Sequence, residues 1–159
     1  MVNAVKQEVI STLNEALRTT KNLLKLVPWD KLEYKPHEKT YTLKQLLGHM
    51  QEAELFMAKG IVKGDWGSGD EEEGKDVELG SREEVIKKFE ENHKQAIKLL
   101  EGLSESDLLN KQVKTPWKME GSALRMAFMW FEHMIHHRMQ LFMYLKLLGL
   151  KVDTMTIYG

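Results

Sequence analysis

Apolar residues recur at intervals of three and four in four stretches of the chain, which is the spacing typical of amphipathic helices. These stretches cover residues 2–26, 42–62, 81–102 and 121–148. Glycine, proline and polar residues dominate the connections between them, as expected for turns and loops. The pattern therefore predicts an all-α fold, an antiparallel four-helix bundle formed by one domain over residues 1–159.

Local signals mark several ends of these predicted helices. Thr42 is followed three residues later by Gln45, and Ser81 by Glu84, so each pair can form a capping box at a helix start. At the other end of the chain, Gly149 follows the last apolar stretch and suits the left-handed conformation that often ends a helix. These signals predict where the second and third helices begin and where the fourth one ends.

Composition narrows the range of chemistry and of partners. The chain has 159 residues, 23 basic and 24 acidic side chains, and no cysteine. Near neutrality gives no reason to expect nucleic acid or a membrane surface as a partner. The polar start and the lack of a long apolar run predict a cytoplasmic protein. Without cysteine the chain has no disulfide, cysteine nucleophile or thiolate ligand, so any reacting thiol must arrive with the substrate.

Three of the six histidines lie in the segment WFEHMIHHRMQ, residues 130–140. In a helix of about 3.6 residues per turn, His133 and His137 lie one turn apart and roughly 40° apart on one face, so both can bind one metal ion. His136 lies on the other flank and is left out of the ligand set. His49 is on the apolar stripe of the second helix, where a bundle would bring it to face the pair. We therefore predict a divalent metal site at His49, His133 and His137.

Three neutral imidazoles leave coordination positions for water or substrate, as in catalytic sites. Zinc or nickel is the predicted ion, and cobalt or ferrous iron would also suit nitrogen ligands. The same histidine spacing begins the zinc protease motif, but Met134 stands where that motif places its general-base glutamate. This disfavours protease-like hydrolysis, although Glu132 or Glu52 could help to orient a water molecule from elsewhere. The alternative reading is a set of buried histidines that hydrogen-bond to backbone or carboxylate groups.

Further predictions concern residues near the predicted metal site and a histidine on the third helix. Trp130, Gln140 and Tyr144 lie within roughly 60° of His133 on a helix and are predicted to line the pocket, with core packing as the alternative for each. His93 lies at the edge of the third apolar stripe and is predicted to be half-exposed.

A mobile, solvated loop is predicted for the acidic, glycine-rich segment 63–80. Within it, Trp66 is the residue expected to be buried. His37 lies in the connection between the first two helices and is predicted to be a surface residue.

The fourth helix is also apolar on the side opposite His133. Packing against the first helix would cover this face within one chain, and a homodimer would cover it with a second copy. The homodimer is the preferred prediction. The face consists of Phe128, Phe131, Ile135, Met139 and Phe142.

Two segments of the chain resemble the DinB/YfiT-like family. HMIHHRMQLFMYLKLLG is similar to the family's last-helix signature, in which two histidines separated by three residues are followed by arginine, a variable small residue and glutamine. LEYKPHEKTYTLKQLLGHMQEAE is similar to the entry of its second helix. The likeness spans nearly the whole chain. It implies a four-helix bundle, often dimeric, with a divalent metal bound by His49, His133 and His137.

The resemblance also suggests a reaction. Characterised relatives include thiol transferases that use bacillithiol, mycothiol or glutathione, and a thiol-dependent isomerase. A bound ion would lower the pKa of a thiol and hold its sulfur beside an electrophile. The leading hypothesis is therefore a metal-dependent transferase acting on a low-molecular-weight thiol and a small electrophile. The alternatives are a metal-binding stress or interaction protein without catalysis, and a metal-dependent hydrolase.

Overall fold

Four long helices form the frame of the molecule, and the computed structural model describes residues 4–67 and 78–159. Helix α1 spans Ala4–Leu24, α2 spans Leu43–Lys63, α3 spans Arg82–Glu101 and α5 spans Ala123–Leu147. Helices α1 and α2 each pack against both α3 and α5. The predicted all-α four-helix bundle is thus confirmed.

Short elements connect and close this bundle. A single 3-10 turn, Trp29–Lys31, follows α1, and helix α4 spans Glu105–Asn110. Strands β1, Gln112–Lys114, and β2, Glu120–Ser122, pair antiparallel before α5 begins. The chain then ends in α6, Thr154–Tyr158, which packs on α1.

The predicted capping motifs form at the ends of α2 and α3. The Thr42 hydroxyl accepts the backbone N–H of Gln45 at 3.1 Å, while the Gln45 side chain accepts the backbone N–H of Thr42 at 2.9 Å. Ser81 and Glu84 make the same reciprocal pair. Gly149 adopts a φ of 86° directly after α5, a conformation that costs glycine little. Local sequence therefore fixes these helix ends.

The core consists of two apolar clusters separated by a polar layer. One cluster contains Leu13, Ile61, Leu100 and Trp130, and the other contains residues such as Leu23. Between the clusters, each long helix contributes buried polar or charged side chains, and we call this set the polar layer. Its members are Thr19 and Thr20 on α1, Glu54 on α2, Asn92 and His93 on α3, and Arg138 on α5.

The structure tests the predicted exposure of two histidines, His37 and His93. His37 is exposed, as predicted. The prediction that His93 is half-exposed is wrong, because only 4% of the residue is exposed. Its ring contacts Glu54 on α2 through Nδ1 and Asn14 on α1 through Nε2, the latter at 2.9 Å. Partners on two facing helices keep this histidine buried.

The acidic segment falls largely outside the described residues, so most of that loop prediction cannot be compared. Within the described part, Trp66 is buried as predicted, and its indole N–H donates to the Lys114 carbonyl at 2.9 Å. No helix in the two described ranges is long and apolar enough to cross a bilayer.

The apolar face of α5 is covered in part by the chain itself. Phe142 is 9% exposed, and Phe131 and Ile135 pack against the first apolar cluster. Phe128 and Met139 remain 54% and 40% exposed. The homodimer stays a prediction, and these two residues are the part of the predicted face that it would have to cover.

Candidate metal centre

His49, His133 and His137 converge where α2 packs against α5. The Nε2 atom of His49 lies 3.1 Å from those of His133 and His137, and the latter two Nε2 atoms are 3.0 Å apart. All three side chains are partly buried. The spacing of one helical turn on α5 and the inward position on α2 thus bring the three predicted ligands to one point.

The triangle of nitrogen atoms has the size that one divalent ion requires. With sides of 3.0–3.1 Å, the triangle is small enough that all three nitrogen atoms could bind one ion at the usual distance of about 2.0–2.1 Å. In the described ranges, no other group of histidine, cysteine or carboxylate side chains is close enough together to hold a metal. The predicted ligands are three imidazoles, with no fourth side chain. Such a set suits an ion that keeps one or more coordination positions for water or substrate.

Hydrogen bonds between the three rings explain the close approach of their Nε2 atoms less well than a bound ion does. Each neutral imidazole carries one ring N–H. The carbonyl oxygen of the Gln140 side chain lies 2.6 Å from His137 Nδ1 and accepts the proton of that ring, which leaves a lone pair on His137 Nε2. Three nitrogens in mutual contact then share too few protons for three good hydrogen bonds. A cation would satisfy all three lone pairs at once.

Burial keeps two of these histidines in the form that binds metal. Burial, together with a smaller contribution from nearby His137, lowers the pKa of His49 to about 4. Burial likewise lowers the pKa of His133 to about 3, with contributions from the neighbouring histidines. Both rings are therefore neutral at pH 7, so an ion need not displace a proton from their ligating nitrogens.

A small cavity of about 20 Å³ lies beside the histidines in the bundle interior. It has room for about one water molecule. His133, His137 and Thr20 line it together with Glu54. Because Glu54 is held by His93, its carboxylate is already engaged in the polar layer. The sequence analysis did not predict the pair of Glu54 and His93. The available signal was the position of Glu54, a carboxylate four residues after Met50 on the apolar stripe of α2.

The predicted pocket residues have different surroundings. Gln140 contacts His137 and so orients a ligand. Trp130 is fully buried in the first apolar cluster, and its indole N–H has no acceptor among the described residues. Tyr144 is buried in the second cluster and donates its hydroxyl to the Tyr41 carbonyl at 2.9 Å. Their contact with a substrate stays a prediction.

Comparison with known proteins assigns this chain to a family. The model of the DinB superfamily matches residues 12–141. The chain belongs to the DinB superfamily. The predicted family resemblance is thus confirmed. No curated protein matches this DinB-superfamily chain.

Solved structures agree with the family assignment. A DinB-like protein from Bacillus subtilis has a TM-score of 0.72 and 20% identity, with 91% of this chain and 94% of that chain covered. A DinB-like protein from Bacillus cereus has a TM-score of 0.74 and 17% identity, with coverage of 92% and 95%. At these identities the similarity shows the shared fold, and the chemistry has to be argued from the site itself.

The lowered pKa values predict how the metal-free protein responds to acid. The unfolded chain takes up protons on these histidines near pH 6.5, whereas folded His49 and His133 resist protonation until about pH 4 and about pH 3. The free energy of unfolding should therefore fall as the pH drops below about 6.5. Urea unfolding in the presence of a chelator at pH 7.5, 6.5, 5.5 and 5.0 measures this slope.

The matched control for this experiment is the double variant His49→Gln and His133→Gln. It should lose most of the slope between pH 6.5 and 5.0, a window above the range in which most carboxylates titrate. Equal slopes for both proteins would show that these histidines are not held neutral by burial.

The Gln140 contact predicts a second effect. Gln140→Leu removes the acceptor that orients His137, so zinc affinity should fall by about 10- to 100-fold. Competition with a chromophoric zinc chelator measures the affinity. Gln140→Glu keeps an acceptor and should bind at least as tightly as Gln140→Leu, while Gln95→Leu, an exposed change on α3, should match the original protein. Unchanged affinity in Gln140→Leu would contradict the orienting role.

Proposed function

We propose that this DinB-superfamily chain binds a divalent ion, zinc or nickel, through His49, His133 and His137, and uses it to activate a small thiol toward an electrophile. The observation that carries the proposal is the convergence of three Nε2 atoms within 3.1 Å of one another. Such a ligand set leaves room for an exogenous ligand. When bound, the ion supplies Lewis acidity, which lowers the pKa of a coordinated sulfhydryl group.

The carboxylates near the site favour a thiol over hydrolysis as its substrate chemistry. Met134 follows His133 in place of a general-base glutamate. Glu52 and Glu132 are exposed, and Glu54 is paired with His93. A sulfhydryl group with a lowered pKa can release its proton directly to solvent, so it needs no base from the protein. Water activation for amide cleavage would lack the base that zinc proteases use.

The composition of the chain supports the same choice. With no cysteine in 159 residues, the protein itself cannot supply the sulfur nucleophile. Bacillithiol, mycothiol and glutathione are the thiols suggested by the family resemblance. In the proposed reaction the sulfur attacks an electrophilic carbon and forms a C–S bond. The leaving group departs with the electrons of its bond, and the thiol proton passes to solvent.

The side chains around the histidines have separable tasks in this proposal. The three imidazoles bind the ion, and Gln140 fixes the orientation of His137. On the inner side, apolar residues restrict the cavity to about one water molecule, which limits competing hydrolysis. These apolar residues are Met50, Ala53, Phe89 and Met134.

A turnover assay tests the proposed reaction. Zinc- or nickel-loaded protein is mixed with monobromobimane and one thiol. Bacillithiol, mycothiol and glutathione are each tested in a separate reaction. At least one thiol should react faster than in the uncatalysed control. His133→Ala should lose the acceleration, by about 10²-fold or to the uncatalysed rate, because a three-ligand catalytic site is broken. His136→Ala is the matched control, since this exposed neighbour is outside the ligand triangle.

Other outcomes would reject the transferase. If the metal-loaded protein gives the uncatalysed rate with every thiol, the transferase proposal is wrong and a metal-binding protein without this catalysis is favoured. Thiol-independent cleavage of an ester or amide that disappears in His133→Ala would instead favour the hydrolase. Equal loss in His136→Ala would contradict the assignment of the reaction to the three-histidine site.

A further inference from the structure

A larger cavity lies on another face of α5, where α1, α5 and α6 meet. Its volume is about 310 Å³, within the range of small-molecule sites, which begins at about 300 Å³. Arg138, which follows the last histidine ligand in the sequence, lines it. Its other walls include the hydroxyl-bearing Ser11, Thr12 and Thr19 and the apolar or aromatic Phe131, Ile135 and Tyr158.

Among the described residues, Arg138 is a buried cation without a countercharge in direct contact. The residue is 7% exposed, and within the described ranges its one hydrogen bond runs from Nη1 to the Thr19 hydroxyl at 2.5 Å. Its Nε–H is buried and has no acceptor in the part of the chain that the structure describes. Among those residues no carboxylate forms an ion pair with it, and its guanidinium carbon lies 5.8 Å from the centre of the Tyr158 ring. A buried guanidinium in this condition is costly unless an anion binds beside it.

Glu15 lines the same cavity but is already engaged. Its two carboxylate oxygens accept from Arg18 Nε at 2.8 Å and from Arg18 Nη2 at 2.7 Å. Glu15 therefore offsets the charge of Arg138 only from a distance. Its negative charge would also repel a doubly charged ligand such as a phosphate monoester more than a singly charged one.

We propose that this cavity binds a small organic monocarboxylate, with its carboxylate on Arg138 and its apolar body against Phe131 and Ile135. A planar guanidinium matches the geometry of a carboxylate. The Ser11 hydroxyl can donate a further hydrogen bond, whereas the hydroxyls of Thr12 and Thr19 already donate to backbone carbonyls of α1. The cavity is large enough for a body of aromatic size. This site is separate from the three histidines, so the proposal does not depend on thiol chemistry.

Phenylacetate is the probe, and the Arg138 Nε–Hε signal of ¹⁵N-labelled, zinc-loaded protein is the readout. Titration should shift this signal saturably, with a dissociation constant of about 1 mM or tighter. Phenylacetamide has the same ring without the charge and should leave the signal unchanged. Phenyl phosphate should bind more weakly than phenylacetate because of Glu15.

Variants distinguish binding in the cavity from non-specific attraction of the anion to positive charge. Arg138→Gln should weaken phenylacetate binding by at least about tenfold, as expected when a charge-assisted pair is lost, with binding then followed on the resonances of the cavity walls. Arg125→Gln is the control, since Arg125 is an exposed arginine on the same helix that does not line the cavity. Ser11→Trp should obstruct the cavity while leaving Arg138 in place, which keeps the proposal testable if Arg138→Gln folds poorly. Circular dichroism checks the fold of each variant.

Several results would overturn the proposal. These are no saturable shift with phenylacetate, equal binding of phenylacetamide, tighter binding of phenyl phosphate, or equal losses in Arg125→Gln and Arg138→Gln. Unchanged binding in folded Ser11→Trp would place the ligand elsewhere. A dimer seen by sedimentation velocity that does not bind phenylacetate and dissociates in Arg138→Gln would show that a second copy of the chain supplies the countercharge.

Discussion

The need to satisfy buried polar groups at mid-height of the bundle governs this structure. Each long helix is apolar toward both ends and carries polar side chains between the two apolar clusters. Such groups destabilise a core unless they find hydrogen bonds or a bound ion. Glu54, His93 and Asn14 supply one another's partners across three helices. The three converging imidazoles meet the same requirement if an ion binds them, and the ion would join α2 to α5.

The two polar arrangements on α5 point to different chemistry. His133 and His137 are nitrogen donors that share a face with no carboxylate ligand among the described residues, which favours a Lewis-acidic ion and a substrate that brings its own nucleophile. Arg138, one residue further on, is a fixed positive charge beside a separate cavity on another face. One helical segment can therefore serve two sites, because successive residues on a helix point about 100° apart.

Much of the fold and the ligand triad could be predicted because the signals are local. Helix periodicity, the capping boxes at Thr42 and Ser81, and the one-turn spacing of His133 and His137 each depend on a few neighbouring residues. His49 required one further step, the expectation that facing helices bring inward side chains together.

What could not be predicted depends on contacts between distant segments. His93 lies at the edge of the α3 stripe, and its burial follows from Glu54 on α2 and Asn14 on α1. Arg138 stands in a recognisable motif, but its burial without an ion pair among the described residues is a property of three packed elements. The periodicity of one helix cannot predict the burial of His93 or of Arg138, because it gives the direction of a side chain and not its partners on other elements.

The most direct test of the metal centre is the metal content of untagged protein, measured by elemental mass spectrometry after purification and after reconstitution. The account predicts about one equivalent of zinc or nickel per chain, lost in both His49→Ala and His137→Ala and retained in His136→Ala. Loss in both variants would show that two segments 84 or more residues apart share one ion. No bound metal after reconstitution, or retention of the ion by both ligand variants, would contradict the account.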